Sequence, residues 1–286
     1  MAGAVARILA DGERLHLQHG PIDLVIGAEP VFARERAFQA AWDRFQTILD
    51  ELVAELPLLR RAVGAMPVGA VARRMTTAAL PHAPVFVTPM AAVAGAVAEE
   101  VLAAMRAATP LARAYVNNGG DIAFHLGEGA RFRMAIAGLN GADLGRVDVG
   151  HDDVARGLAT SGQGGRSFSM GIADSVTVLA RTASEADVAA TLIANAVDLP
   201  GHPAISRDAA NRLQPDSDLG TRLVVTAVGR LTEAETALAL DRGALAAQSM
   251  RDKGLILSAA LFLNGQFRTL GPTNTLLTET RTPAHA

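Results

Sequence analysis

The chain has 286 residues, 26 basic and 29 acidic side chains, a net charge of −3 and no cysteine. Half of it is apolar, which excludes intrinsic disorder, and the lack of a basic excess argues against a nucleic-acid binder. Without cysteine, thiolate zinc sites, iron–sulfur clusters, Cys nucleophiles and disulfides are excluded, so any metal must be held by oxygen or imidazole.

The first twenty residues carry Arg7, Asp11, Glu13, Arg14, His16 and His19, leaving no uninterrupted apolar core of the roughly 7–15 residues that a signal peptide needs. Residues 5–28 read as short strands. Leu15 and Leu17, then Ile22, Leu24 and Ile26, alternate at period 2, and Gly20-Pro21 marks the turn between them. Residues 31–56 change to helical spacing: Phe38, Trp42, Phe45, Leu49, Leu52, Val53 and Leu56 form one apolar stripe that Pro57 is expected to end. Residues 64–84, with Arg73-Arg74, read as irregular.

A second helix is expected from Thr88, a plausible N-cap followed by Pro89 at the first helical position. The segment Val85–Ala98 is the longest apolar run, but Thr88 and Pro89 interrupt it and Glu99-Glu100 end it, short of the roughly 20 residues of a membrane span. A soluble, cytoplasmic protein is expected. The chain holds 57 alanines and 27 glycines, and Lys253 is the only lysine beside 25 arginines. A GC-rich coding sequence accounts for the average excess. It does not account for the local cluster Ala91–Ala98, where small residues let another backbone approach, either as a tightly packed core helix or as a ligand contact.

Strands follow at Ala112–Val116, Ile122–Leu126, Phe132–Ala137 and Ser175–Leu179, a helix at Ser184–Val197, and a mostly looped stretch at 198–219. Then come a strand at Leu223–Val228, a helix at Glu233–Met250 and a strand at Leu255–Leu263. Blocks of strand and helix with several hairpins predict an α+β fold, with antiparallel sheet backed by paired helices. With no Pro-, Gly- or Ser-rich linker, residues 1–272 are expected to form a single unit and 273–286 a flexible tail.

Three segments can carry chemistry. Asn117-Asn118-Gly119-Gly120-Asp121 lies between two strands. Asn-Gly is a hairpin signal in its own right, but a second Gly and a flanking Asp exceed what the turn needs, and bare N–H groups there suit a phosphate or a ring. Thr160-Ser161-Gly162-Gln163-Gly164-Gly165-Arg166-Ser167-Phe168-Ser169 reads either as a surface loop or as a set of N–H and hydroxyl donors around Arg166 for an anion such as pyrophosphate. It lacks the P-loop Gly-Lys-Ser/Thr and the Gly-x-Ser-x-Gly elbow. Ser184-x-x-Asp187 resembles a capping box, yet Asp187 and Thr191 also share one helix face, where a carboxylate and a hydroxyl can bind a hard cation such as Mg²⁺. His16 and His19 point to opposite faces of a strand, His125 reads as a satisfied sheet histidine, and His151-Asp152-Asp153 and Asp216-Ser217-Asp218 read as solvated turns.

Taken in order, these motifs resemble the ApbE superfamily, best known for FAD:protein FMN transferases. Asn117-Asn118-Gly119-Gly120-Asp121-Ile122 resembles its Asn-x-Gly-Gly-Asp-Ile, Ala159-Thr160-Ser161-Gly162 its Ala-Thr-Ser-Gly, and Asp187-Val188-Ala189-Ala190-Thr191 its Asp-Ala-x-Ala-Thr. The resemblance covers about residues 85–195. It implies Mg²⁺ at Asp187 and Thr191 and FAD or a related flavin nucleotide at Asn117, Asn118, Gly119, Gly120, Thr160, Ser161 and Gly162, to which the reading of the donor-rich loop adds Arg166, Ser167 and Ser169 as phosphate contacts. The resemblance also implies an acceptor protein as partner, while Asp121 and Asp174 are the candidate general bases. Departures point to the uncharacterised cytoplasmic ApbE-like branch. Ala94-Gly95 stands where the transferases carry Ala-Lys-Gly, the transferase segment His-x-x-Asp-Pro-x-Thr-Gly is replaced by Gly165–Asp174, and residues 200–265 have no counterpart. The alternatives to a flavin or nucleotidyl-type transferase are a non-catalytic flavin- or nucleotide-binding module and a purely structural protein.

Overall fold

The computed structural model describes residues 3–137, 143–165 and 167–271, with the side chains of residues 137 and 143 excepted. The expected tail, 273–286, and Arg166 lie outside the described residues. Strands β1 (Val5–Ile8), β2 (Leu15–His19) and β3 (Ile22–Glu29) precede helices α1 (Val31–Leu59), α2 (Ala70–Ala79) and α3 (Val93–Ala108). Then come β4 (Arg113–Asn118), β5 (Asp121–Leu126), β6 (Arg131–Ala137), β7 (Asp143–Gly150), β8 (Gly157–Ser161) and β9 (Ser175–Ala180). Helix α4 (Ala183–Ala196), β10 (Ile205–Ala209), α5 (Ala210–Leu213), β11 (Leu223–Val228), α6 (Glu233–Asp252), β12 (Ser258–Leu263) and β13 (Gln266–Leu270) complete the order.

Nine strands form one sheet in the order β1-β2-β3-β4-β5-β8-β9-β12-β13, and every neighbouring pair is antiparallel. The expected α+β class and antiparallel sheet are therefore what the chain adopts. The period-2 reading of β2 and β3 places Leu17 opposite Leu24 and Leu15 opposite Ile26, all buried. These side chains meet Phe38, Phe45, Ile48 and Leu52 of α1 and Val97, Val101 and Met105 of α3 in one apolar layer. Helices α4 and α6 cover the sheet further along, over Val176, Val178 and Leu261. The opposite face of the middle strands is covered by the β6–β7 hairpin, whose Ile136, Val147 and Val149 pack on Phe124, Leu126, Leu179 and Phe262. Strands β9 and β12 are buried along their whole length because they are covered on both faces.

Several boundaries differ from the sequence reading. Residues 64–84 are not irregular: Val71, Ala72, Met75, Ala78 and Ala79 are the buried face of α2. Pro57 does not end α1, which continues to Leu59 with Pro57 in its last turn. That far along, the N–H that proline lacks costs a single hydrogen bond, and the buried Leu59 holds the final turn against the core. The 198–219 stretch contains β10 and α5 rather than loop alone. Thr88 precedes a short 3₁₀ turn, Pro89–Ala92, and its side chain makes no cap bond there. No helix among the described residues is long and apolar enough to cross a membrane.

Candidate functional site

The site begins where α3 and α4 touch. A Cβ on Gly95 would lie 2.3 Å from the carbonyl oxygen of Ala183, so only glycine permits this approach, and the small residues of Ala91–Ala98 act here as a close backbone contact. The start of α4 is capped by Thr182, whose hydroxyl accepts the Glu185 N–H at 3.2 Å. Ser184 is therefore not the cap. Its N–H (2.6 Å) and hydroxyl (2.7 Å) both donate to Glu99 of α3. Asp187 is thereby spared the capping role. Its Oδ2 instead accepts the Gly95 N–H at 3.0 Å, across the helix–helix seam.

Burial raises the Asp187 pKa well above the ordinary carboxylate range, and the charge of Asp121 raises it further, against the opposing N–H groups of Gly95 and Ala94. Asp121 opens β5, directly after the two-residue turn Gly119-Gly120. Both turn residues have positive φ (+66° and +113°), as a tight hairpin requires. Asn117 serves that turn by accepting the Gly120 N–H at 2.9 Å. The neighbouring Asn118, 5% exposed, donates from Nδ2 to the Ala94 carbonyl at 3.2 Å and so ties the turn to the start of α3. Asp121 Oδ1 accepts the Thr160 N–H at 3.2 Å, and the Thr160 and Thr177 hydroxyls lie 3.0 Å apart.

These elements open into a cavity of about 340 Å³. Asp121, Asp187 and Thr191 line it together with Ala94, Ser167 and Phe168. Among the sequence-derived candidates, Asp121, Ser167, Asp187 and Thr191 share this cavity, and Asn118 and Thr160 adjoin it through their bonds to Ala94 and Asp121. The others stand apart. Asn117, Gly119 and Gly120 build the turn. Ser161 ends β8. At Gly162 a Cβ would meet the Asp174 carbonyl at 2.5 Å, so the glycine serves close packing. Ser169, 8% exposed, donates its hydroxyl to the Gly171 carbonyl. Asp174 does not line the cavity; its Oδ2 accepts the Asn264 N–H at 2.7 Å in the β12–β13 turn, and burial raises its pKa.

One wall was missed in the sequence. Asp216, Ser217 and Asp218 are not simply a solvated turn. They line the cavity with Gln214 and Leu219, Asp218 is hydrogen-bonded to the Thr88 hydroxyl, and Asp216 pairs with Arg60 at 2.8 Å. Arg222 then lies over the Phe86 ring, 3.1 Å from its centroid. The only local signal for this wall was the Asp-Ser-Asp spacing, since its partners lie far upstream. His125, as expected, is satisfied by the Leu111 carbonyl at 3.0 Å. A second, larger cavity of about 540 Å³ lies between α2 and the start of α4, lined by Arg73, Arg74, Arg181 and Glu99 among others. Of the motif residues only Ser184 reaches it; Asp121, Asp187 and Thr191 do not line it.

No group of three or more His, Asp or Glu that could hold a metal occurs among the described residues. Asp187, Asp121, Thr191 and Ala94 are among the oxygen-bearing residues that line the cavity. This set suits a hard cation, which needs few protein ligands and retains water or phosphate. A buried carboxylate whose proton affinity is raised by a second carboxylate, as Asp187's is by Asp121, is also the setting that a divalent cation relieves.

A family model described as AbpE bacteria matches residues 6–269. The chain belongs to this family, within the ApbE-like superfamily. A UPF0280 protein of Methanopyrus kandleri is 43% identical over 129 residues, covering 44% of this chain and 48% of the relative. A UPF0280 protein of Methanobrevibacter smithii is 40% identical over 116 residues, covering 38% and 46%. The chain thus spans about half the length of the curated relatives it matches. Among solved structures it is similar to the apo flavinyl transferase ApbE of Pseudomonas stutzeri, with TM-score 0.39, 12% identity and 93% of each chain covered. It is likewise similar to the flavin transferase ApbE of Vibrio cholerae, with TM-score 0.37, 13% identity and 95% and 98% covered.

Proposed function

We propose that this ApbE-like protein, acting as one unit over residues 1–272, binds a flavin nucleotide or related pyrophosphate with Mg²⁺ in the Asp121–Asp187 cavity. The observation that carries this reading is the convergence of Asp121, Asp187 and Thr191 on one cavity, with Asp187 released from capping its own helix. Asp187, Thr191 and the Ala94 carbonyl would hold the cation, which supplies charge neutralisation at the phosphates. Asn118 fixes the Ala94 carbonyl. Asp121, whose Oδ1 accepts the Thr160 N–H, would take a proton from an incoming hydroxyl. Ser167, which lines the cavity, would supply a donor to the phosphates, and Arg166 is proposed as a second donor from the sequence alone. In a flavin transfer, the acceptor Thr or Ser oxygen forms a new bond to the FMN phosphorus, the pyrophosphate bond of FAD breaks, and AMP leaves.

A second reading keeps the ligand and drops the transfer, because the transferase segment around Gly165–Asp174 is replaced here. Calorimetric titration with FAD, FMN and ADP, with and without Mg²⁺, tests both. Magnesium-dependent binding lost in Asp187→Ala supports the site, and no binding of any nucleotide refutes it. Mass spectrometry for AMP after incubation with FAD and a Thr-containing acceptor peptide then separates transferase from binding module.

A further inference from the structure

The candidate cavity is lined by four carboxylates, Asp121, Asp187, Asp216 and Asp218, and among the described residues Arg60 is the one cationic side chain that lines it. Arg60 follows the last turn of α1, where its backbone N–H is bound to the Leu56 carbonyl, so its main chain is anchored while its long side chain is not. The guanidinium meets Asp216 through a single contact, Nη2 to Oδ2 at 2.8 Å, with the two side chains 34% and 59% exposed. An ion pair so open to water contributes little and is readily exchanged. The 214–222 segment does not depend on it, because Asp218 holds Thr88 and Arg222 packs on Phe86 independently. A fork of N–H donors at the edge of a cavity, held by a weak and replaceable carboxylate, matches the recognition of a phosphate group.

We propose that Arg60 is a phosphate-binding residue of this cavity, held ready by Asp216, and that it exchanges the Asp216 carboxylate for a phosphate of the ligand. This inference rests on the proposed function for the presence of a phosphate-bearing ligand, and it adds a residue outside every motif that suggested the site. It makes the two partners of one ion pair oppose each other. Removing Arg60 removes the phosphate contact, whereas removing the Asp216 charge frees Arg60 and eliminates a competitor.

The test is calorimetric titration of the full chain with inorganic pyrophosphate, ADP and FMN, each with Mg²⁺, in wild type, R60Q, R60K and D216N, with thermal melts confirming that each variant is folded. R60Q is expected to weaken pyrophosphate binding by about tenfold or more, as for loss of charge-assisted hydrogen bonds. R60K falls between, because lysine lacks the fork. D216N tightens binding by up to about fivefold, the range of an exposed ion pair. Wild-type affinity in R60Q, or weakening in both R60Q and D216N, overturns the proposal. Pyrophosphate binding without any flavin or nucleotide binding removes the proposed function and leaves Arg60 in place, whereas no binding of any of the three probes removes both.

Discussion

Helix α3 meets two of its neighbours, α1 and α4, in opposite ways. Toward α1 it presents Val97, Val101 and Met105, which join Phe45, Ile48 and Leu52 in a layer of large side chains over β2–β4. Toward α4 it presents Gly95, where backbone touches backbone and the Gly95 N–H reaches Asp187. The first seam excludes water from a large apolar area and stabilises the fold. The second brings two backbones together and places a carboxylate against main-chain N–H groups. The contrast separates stability from chemistry on one helix: bulk on one face, bare backbone on the other.

Breaking the backbone seam should have the largest effect. Gly95→Ala puts a Cβ at 2.3 Å from the Ala183 carbonyl. It is expected to cost more than about 3 kcal/mol in urea unfolding, because neither helix backbone can yield locally, and to abolish any Mg²⁺-induced rise in Tm. A melt unchanged from wild type would show that the helices do not meet this closely. Breaking the bulky seam with Phe45→Ala should cost about 3–5 kcal/mol, while nucleotide and Mg²⁺ affinity measured on the folded fraction stay as in wild type. Loss of affinity in that variant would show that the two seams are not separable.

A charge substitution sharpens the contrast. The folded-state pKa of Asp187 lies above its unfolded value, from burial and then from Asp121. The folded chain therefore binds the proton more tightly, and this contribution to stability is lost as pH rises through the folded pKa. Asp187→Asn should stay more stable than wild type at alkaline pH in the presence of a chelator. Added Mg²⁺ should raise the wild-type Tm and leave the variant unchanged. An equal response to Mg²⁺ in both proteins would move the cation elsewhere.

The smallest effect is expected at the outer rim of the bulky seam. There Arg44 of α1 pairs with Glu51 at 2.8 Å and with Glu100 of α3 at 2.9 Å. Arg44→Gln should lower stability by about 1–2 kcal/mol in urea unfolding without affecting ligand binding.

Much of the fold could be read from local pattern, because strand alternation and helix stripes are properties of neighbouring residues. The alternation of β2 and β3, the α1 stripe and the Gly119-Gly120 turn are such cases. Helix α2 was concealed. Its buried positions Val71, Met75 and Ala78 are interleaved with Arg73, Arg74 and two threonines, and its N-cap, Gly69, makes no side-chain cap bond. The site was legible in part. Asp121, Asp187 and Thr191 carry side-chain oxygens in recognisable spacing and line one cavity, whereas Asn117, Ser169 and Asp174 carry the same chemistry but serve turns and packing.

By itself the sequence determined the antiparallel character of the sheet, the apolar face of α1, and the restriction of any metal to oxygen or imidazole donors. Each follows from composition or from spacing within a few residues. Only the tertiary structure decided what each polar group faces. Asp187 meets Gly95 because Thr182 takes the capping role, and Asp121 meets Asp187 because β5 begins beside the start of α3. The Asp216–Asp218 wall closes the cavity because Arg60 and Thr88, 156 and 130 residues away in the chain, are brought to it. A carboxylate's role depends on the charges and N–H groups around it in space, and those neighbours come from parts of the chain that no local pattern connects.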